Sequence, residues 1–177
     1  MVAKNTFILT THRGAENSAS SEIYMLLTEF GDSKAKITRT KVSGVLMVET
    51  VLSHQDVIEM LKKMIESEPW RARSMLRLIP AEEMVDADLN QIVEAVQPML
   101  ERIGEEETFR ITVEKRHSEI SRNEIIEAVA SKTVRKVDLE NPDWVVLIEV
   151  IGGKAGVSVV RPEQILSVVK AKRGDTR

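Results

Sequence analysis

Apolar and polar positions alternate along this chain with two different rhythms, and they divide it into two blocks. In the first, Thr6–Thr11 (TFILTT) reads as a short strand. Ala19, Ile23, Leu26, Leu27 and Phe30 then recur at helical spacing, which predicts a helix over Glu16–Phe30 that stops at Gly31. Lys36–Val42 and Gly44–Val51 read as two strands joined at Ser43-Gly44. Ser53 with Asp56 opens a helix whose stripe is Val57, Ile58, Leu61, Met64 and Ile65. Pro69 closes that helix, and Trp70–Ile79 is expected as a strand. The order βαββαβ is the split unit of a ferredoxin-like domain, assigned to residues 1–80.

The second block has another order. A helix capped by Asp86 or Asp88 buries Leu89, Ile92, Val93, Val96, Leu100 and Ile103, and Pro98 within it predicts a kink or a break. In Thr108–Glu114, Phe109, Ile111 and Val113 alternate with Arg110, Thr112 and Glu114, the period of a half-buried strand. Ser121 opens an S-x-x-E capping box with Glu124, so a helix is expected from Arg122 to about Arg135. Trp144–Ile151 and Lys154–Val160 are strands joined by Gly152-Gly153, a two-residue hairpin signal. The first of these is apolar on both faces apart from Glu149, as a central strand should be. A short helix over residues 163–170 and a frayed basic tail complete the pattern. The expectation is an α+β / α/β chain with a second domain at 81–165 and a tail at 166–177, without internal repeats or low-complexity segments.

The 177 residues are 42% hydrophobic, enough for real cores, and no apolar run approaches the length of a membrane span. The N-terminus enters a strand pattern with no signal-peptide hydrophobic region, and cysteine is absent. A cytoplasmic protein without membrane contact is expected. The net charge of −3 conceals an uneven distribution. Residues 81–107 carry nine acids against Arg102 alone, a local −8, so the remainder sums to +5. A polyanion responds to the local field rather than to the total. The acidic stretch itself reads either as a surface for a protein partner or as a solvated connector.

The candidate chemistry is concentrated where the strand from Phe109 ends. Lys115, Arg116 and His117 crowd its exit beside Ser118, Ser121 and Arg122. Cations next to helix N–H groups suit phosphate, with serine hydroxyls reading backbone shape. The bland alternative is a solvated strand end whose Ser121 merely caps a helix. Arg71, Arg73 and Arg77 share one face of the expected strand Trp70–Ile79, which suits contacts along an RNA helix. Salt bridging to the following acidic stretch is the competing role. Lys132, Arg135 and Lys136 extend the basic face or simply solvate a helix end, and Lys154 and Arg161 stand in the same position.

Catalytic patterns are weak. His12, His54 and His117 lie in different elements without metal-ligand spacing, and no cofactor-binding motif is present. Glu82/Glu83 and Glu105–Glu107 fall in expected linkers with too few apolar neighbours to raise a carboxyl pKa. Aromatic residues make up only 3%, so a stacking platform is not expected. The chemistry points to recognition by shape and phosphate, without enzymatic activity, cofactor or metal.

The run from Phe109 to Val160, with its basic strand end, Ser-opened helix and V-D-L-x-N-P-D segment (Val137–Asp143), resembles a THUMP domain. The preceding βαββαβ unit resembles the ferredoxin-like domain that accompanies it. The resemblance implies tRNA positioned by its acceptor end, with a pocket for the unpaired 3′ end formed by these loops. THUMP domains occur in tRNA thiouridine synthases, methyltransferases and pseudouridine synthases, and without a catalytic domain in the tRNA-acetyltransferase adaptor family. The chain stops 17 residues after the last hairpin, so it resembles the stand-alone kind. The implied function is a non-catalytic adaptor that presents tRNA to a separate enzyme, by resemblance the tRNA cytidine acetyltransferase. The alternative is a ferredoxin-like regulatory module that binds a protein or small ligand and no RNA.

Overall fold

A computed structural model describes residues 3–174. In chain order the elements are β1 (Asn5–Thr11), α1 (Glu16–Glu29), β2 (Lys36–Arg39), β3 (Val45–Thr50), α2 (His54–Ser67), β4 (Met75–Ala81) and β5 (Glu83–Asp86). They continue with α3 (Leu89–Met99), β6 (Thr108–Arg116), α4 (Arg122–Ala130), β7 (Lys136–Val137), β8 (Trp144–Ile151), β9 (Lys154–Val160), β10 (Leu166–Ser167) and α5 (Val168–Lys172). They form two mixed α+β units. One holds the residues up to Pro80 with those from Glu163 onward, and the other is Ala81–Pro162.

In the first unit the sheet order is β10-β4-β1-β3-β2. Its four long strands have the ferredoxin-like arrangement that the βαββαβ pattern predicts. Ala19, Ile23 and Leu27 of α1 and Val57, Leu61 and Ile65 of α2 pack on Phe7, Leu9, Leu46 and Val48 of the sheet. Each such large side chain contributes about 1.5–3 kcal/mol by leaving water. The turn after β2 needs glycine. Gly44 has φ 79°, and a Cβ there would come 2.7 Å from the Thr11 carbonyl oxygen.

Three segments of this unit depart from the sequence pattern. The strand expected over Trp70–Ile79 begins only at Met75, because Pro69 opens a 3-10 turn over Pro69–Arg71. The Glu22 carboxylate then accepts the N–H groups of Arg73 (3.0 Å) and Ser74, which holds that stretch against α1. Strand β2 stops at Arg39 because the Thr40 hydroxyl accepts the Val42 N–H and donates to the Val45 carbonyl. Residues 166–172 do not fray as a tail. Leu166 pairs with Leu78, and Leu166 and Val168 are buried in the first core. The last residues of the expected basic tail, 175–177, lie outside the described residues.

The second unit has sheet order β5-β9-β8-β6-β7, with β6 parallel to β7 and β8 and the remaining pairs antiparallel. Strand β8 is central, as its two-sided apolar run predicts. Helices α3 and α4 cover one face, where Ile92, Val96, Ile125 and Val129 meet Phe109, Val113, Val146 and Val157. Pro98 sits in the last turn of α3, which passes into a 3-10 turn over Leu100–Arg102, so the proline ends the helix. The acidic stretch is no solvated connector, for Glu83–Asp86 is strand β5, paired with β9. Helix α4 ends at Ala130 rather than near Arg135, which leaves Ser131–Arg135 as a loop. Among the described residues no helix is long and apolar enough to cross a membrane.

Candidate nucleic-acid interface

Strand alternation decides where the cations of β6 point. Lys115 follows Phe109 and Val113 on the face that the helices cover, whereas Arg116 follows Glu114 on the opposite face. Strand β6 ends against the β8–β9 hairpin, where the Gly152 N–H donates to the Arg116 carbonyl at 2.8 Å. His117 then adopts φ 53°, the left-handed region that a side chain rarely occupies. The two serines that follow organise the backbone. Ser118 Oγ accepts the Ile120 N–H and Ser121 Oγ accepts the Glu124 N–H, both at 3.3 Å, and the second bond caps α4. Lys115, His117 and Arg122 are exposed at this exit and form no ion pair among the described residues.

Several cations expected to face a ligand are held by carboxylates instead. Arg116 pairs with Glu149 at 2.9 Å, and the Glu149 side chain is only 2% exposed. Glu114 stands directly opposite Glu149 in the parallel register, so Arg116 offsets two carboxylates facing one another. Lys154 meets Asp86 at 2.6 Å, and that hydrogen bond holds the Asp86 carboxyl below its ordinary range. Arg161 pairs with Glu107 at 2.6 Å while its guanidinium lies 3.9 Å from the Trp144 ring centroid. Glu107 also accepts the Trp144 indole N–H at 3.0 Å. These partners, the indole first and the guanidinium next, lower its pKa to about 2.

The expected extension of the basic face is split by the topology. Lys136 pairs with Thr108, seven residues before Lys115 on β6, which places it roughly 23 Å along the strand. Lys132 and Arg135 belong to that same far end. There they line a cavity of about 330 Å³ with Gln97 and Glu101, and Arg135 Nε donates to the Ile103 carbonyl at 3.0 Å. Arg71, Arg73 and Arg77 belong to the first unit and do not share a strand. Arg71 sits in the 3-10 turn bonded to Glu29 and Glu68, not to the acidic stretch; the Glu29 bond raises its pKa. Arg73 is exposed, and Arg77 is half-buried on β4 opposite Ser167.

In the V-D-L-x-N-P-D segment the two aspartates organise the backbone. Asp138 accepts the N–H groups of Glu140 (3.0 Å) and Asn141 (2.9 Å), closing a turn. Asp143 accepts the Thr108 N–H at 2.8 Å, which ties the loop to the start of β6. Val137 and Leu139 are left 57% and 68% exposed, so the segment is built for presentation rather than packing. Residues 86–160 match the THUMP domain family. The chain carries a THUMP domain.

The similarity extends beyond that segment. The chain is 25% identical over 168 residues to THUMP domain-containing protein 1 of Mus musculus, covering 84% of this chain and 48% of that one. It spans about half the length of the curated relatives it matches. A crystal structure of a Pyrococcus horikoshii protein has a similar fold, with TM-score 0.63 at 19% identity over 89% of this chain and 55% of that one. A 4-thiouridine synthetase solved in complex with RNA and ATP is similar in fold as well. Its TM-score is 0.54 at 17% identity, over 90% of this chain and 42% of that one.

Sequence reasoning reached the strand exit of the THUMP domain but missed the partners that fix its cations, above all Glu149. The signal was a lone acid in an otherwise apolar central strand, a position that demands a counter-charge. It also passed over Lys34, Lys36, Arg39 and Lys41, an acid-free cationic run on and around β2.

Proposed function

We propose that this chain binds tRNA at its acceptor and 3′ end and presents it to a separate modifying enzyme without reacting itself. By family resemblance that enzyme is the tRNA cytidine acetyltransferase. The observation that carries the reading is the exit of β6 in the THUMP domain, where Lys115, His117 and Arg122 follow within eight residues, exposed and, among the described residues, in no ion pair. Cations free of carboxylates neutralise phosphates, and a left-handed non-glycine backbone is strain of the kind found at ligand sites. A fold shared with a synthetase solved in complex with RNA supports the same ligand class. The mechanism is geometric: an RNA end held at a fixed point sets the distance to the base that the partner enzyme modifies.

The test compares full-length tRNA with tRNA trimmed at its 3′ end. Wild-type protein binds the full-length form more tightly, and Lys115→Ala/Arg122→Ala removes that preference. Equal binding of both RNAs by the wild type overturns end recognition. Pull-down from native lysate, with RNA and protein both identified, tests the adaptor role. Recovery of tRNA without any modifying enzyme, or tRNA modification by the purified chain alone, overturns it.

A further inference from the structure

The outer edge of the second sheet is open and apolar. Strand β7 is the last strand of that sheet and pairs with β6 alone. Val134 beside it is 91% exposed, and Val137 and Leu139 also stand out in water. A single exposed aliphatic side chain is ordinary, but three within six residues on an unpaired strand edge mark an interaction surface.

The backbone of this edge carries a particular set of free groups. The Asp138 N–H donates to the Phe109 carbonyl at 3.0 Å, so the groups of Lys136 and Asp138 turn toward β6 and those of Val137 turn outward. On either side, the Thr133 hydroxyl accepts the Arg135 N–H at 3.2 Å, and Arg110 Nη1 donates to the Leu139 carbonyl at 3.1 Å. Among the described residues, the Val137 N–H and carbonyl, the Arg135 carbonyl and the Leu139 N–H are left without a hydrogen-bond partner.

A two-fold axis through Val137 matches these groups with one another. In an antiparallel ladder centred there, the two Val137 residues exchange both of their bonds. The Leu139 N–H of each copy then meets the Arg135 carbonyl of the other. The remaining pair in that register, Arg135 N–H with the Leu139 carbonyl, is the one already satisfied within the chain. The side chains agree with this register. Val137 stands opposite itself, and Lys136, which forms no ion pair among the described residues, stands opposite Asp138. Asp138 accepts the Glu140 and Asn141 N–H groups through Oδ1 alone, so its Oδ2 is open to that ammonium.

A lysine on an open edge ordinarily keeps the strand from pairing with another chain. In this register it attracts, because opposite charges face each other across the ladder. We infer that the β7 edge is a self-association surface whose partner is a second copy of this chain, joined antiparallel about Val137 in a closed two-fold dimer. The contact spans about five residues a side against the ~20–30 of a standard interface, so the dimer dissociates on dilution. It lies at the far end of β6 from Lys115, and it does not depend on the RNA-binding reading.

Sedimentation equilibrium of the full chain, from dilute solution up to its solubility limit, shows the mass rising toward twice the monomer value. Val137→Pro removes an outward N–H that no group of the chain uses, and Lys136→Glu sets a carboxylate opposite Asp138. Both variants stay monomeric, and Lys136→Glu, at an exposed position, carries the comparison if the proline variant unfolds. Because the chain has no cysteine, Val137→Cys introduces a single thiol. Facing Cα atoms in a hydrogen-bonded antiparallel pair are about 5.5 Å apart, within disulfide reach. The oxidant diamide therefore cross-links Val137→Cys faster than Val51→Cys, an exposed position of the first unit. A wild type that stays monomeric at every concentration overturns the inference and leaves the edge to an extended segment of another protein. A dimer that both variants retain, or cross-linking no faster at 137 than at 51, overturns it by placing the contact elsewhere. Loss of tRNA binding in Val137→Pro with no change in mass overturns it in favour of RNA at this edge.

Discussion

Arg116 and Glu149 meet at 2.9 Å across the parallel ladder of β6 and β8, with the carboxylate inside and the guanidinium reaching it from the strand's end. The pair makes Arg116 a part of the sheet, although it sits between two exposed residues of the proposed RNA site. Removing one partner of a buried ion pair strands the other charge, which costs more than the pair itself contributes. Arg116→Ala should therefore destabilise the second unit by about 2–3 kcal/mol, discounted because the Arg116 side chain is 25% exposed. Arg116→Ala/Glu149→Gln should recover most of that loss, since glutamine keeps hydrogen-bonding capacity without charge. Chemical denaturation of the two variants checks the order. If the double variant also binds tRNA like the wild type, Arg116 acts through Glu149 and not on phosphate.

Glu107 links acidity to stability at the opposite end of the same sheet. Its ordinary carboxyl value of 4.5 falls to about 2 because the folded state supplies the Trp144 indole N–H and the Arg161 guanidinium. A depressed carboxyl pKa stabilises the fold above the unfolded value and loses that effect as pH falls through the folded one. The contribution should thus be complete above about pH 4.5 and vanish toward pH 2. The Trp144 indole N–H resonance should shift across that window, and Glu107→Gln should flatten the acid limb of the stability curve. An acid limb identical in variant and wild type would show that the triad makes no such contribution. Arg161 belongs to this arrangement, which explains why an arginine placed for RNA by sequence is turned onto a tryptophan.

The elements legible in the sequence are those whose periodicity is a direct consequence of burial. The stripe Val57, Leu61, Ile65 and the alternation Phe109, Ile111, Val113 mark the faces that pack, and the structure puts them there. What the pattern cannot carry is the partner of a charge. Arg116 finds Glu149 33 residues away, Arg71 finds Glu29 42 away, and Arg161 finds Glu107 54 away. Those separations close only when the units fold, so three cations read as surface groups turn out to be fastened. Strands β7 and β10 escape for another reason, because two residues are too few to display a period. The strand exit itself stayed legible because the apolar alternation of β6 ends at Val113 and cations begin at once.

Leu166 tests the reach of that last limitation. In sequence it stands among residues read as the approach to a loose basic tail, yet it is 1% exposed and pairs with Leu78 on β4. Val168, 2% exposed, follows it into the same core, and Lys62 of α2 donates to the Glu163 carbonyl just upstream. The segment therefore closes the β4 side of the first sheet, and deleting its methyl groups leaves a cavity that the surrounding strands fill only in part. Leu166→Ala should cost about 2–4 kcal/mol, the range for a buried leucine. Lys172→Ala, at an exposed position of the helix α5, should change stability by less than about 0.5 kcal/mol. Thermal unfolding of both variants separates the alternatives. A Leu166→Ala protein as stable as Lys172→Ala would mean that the segment does not hold its place in solution, and the first unit would then have to stand on residues up to Pro80 alone.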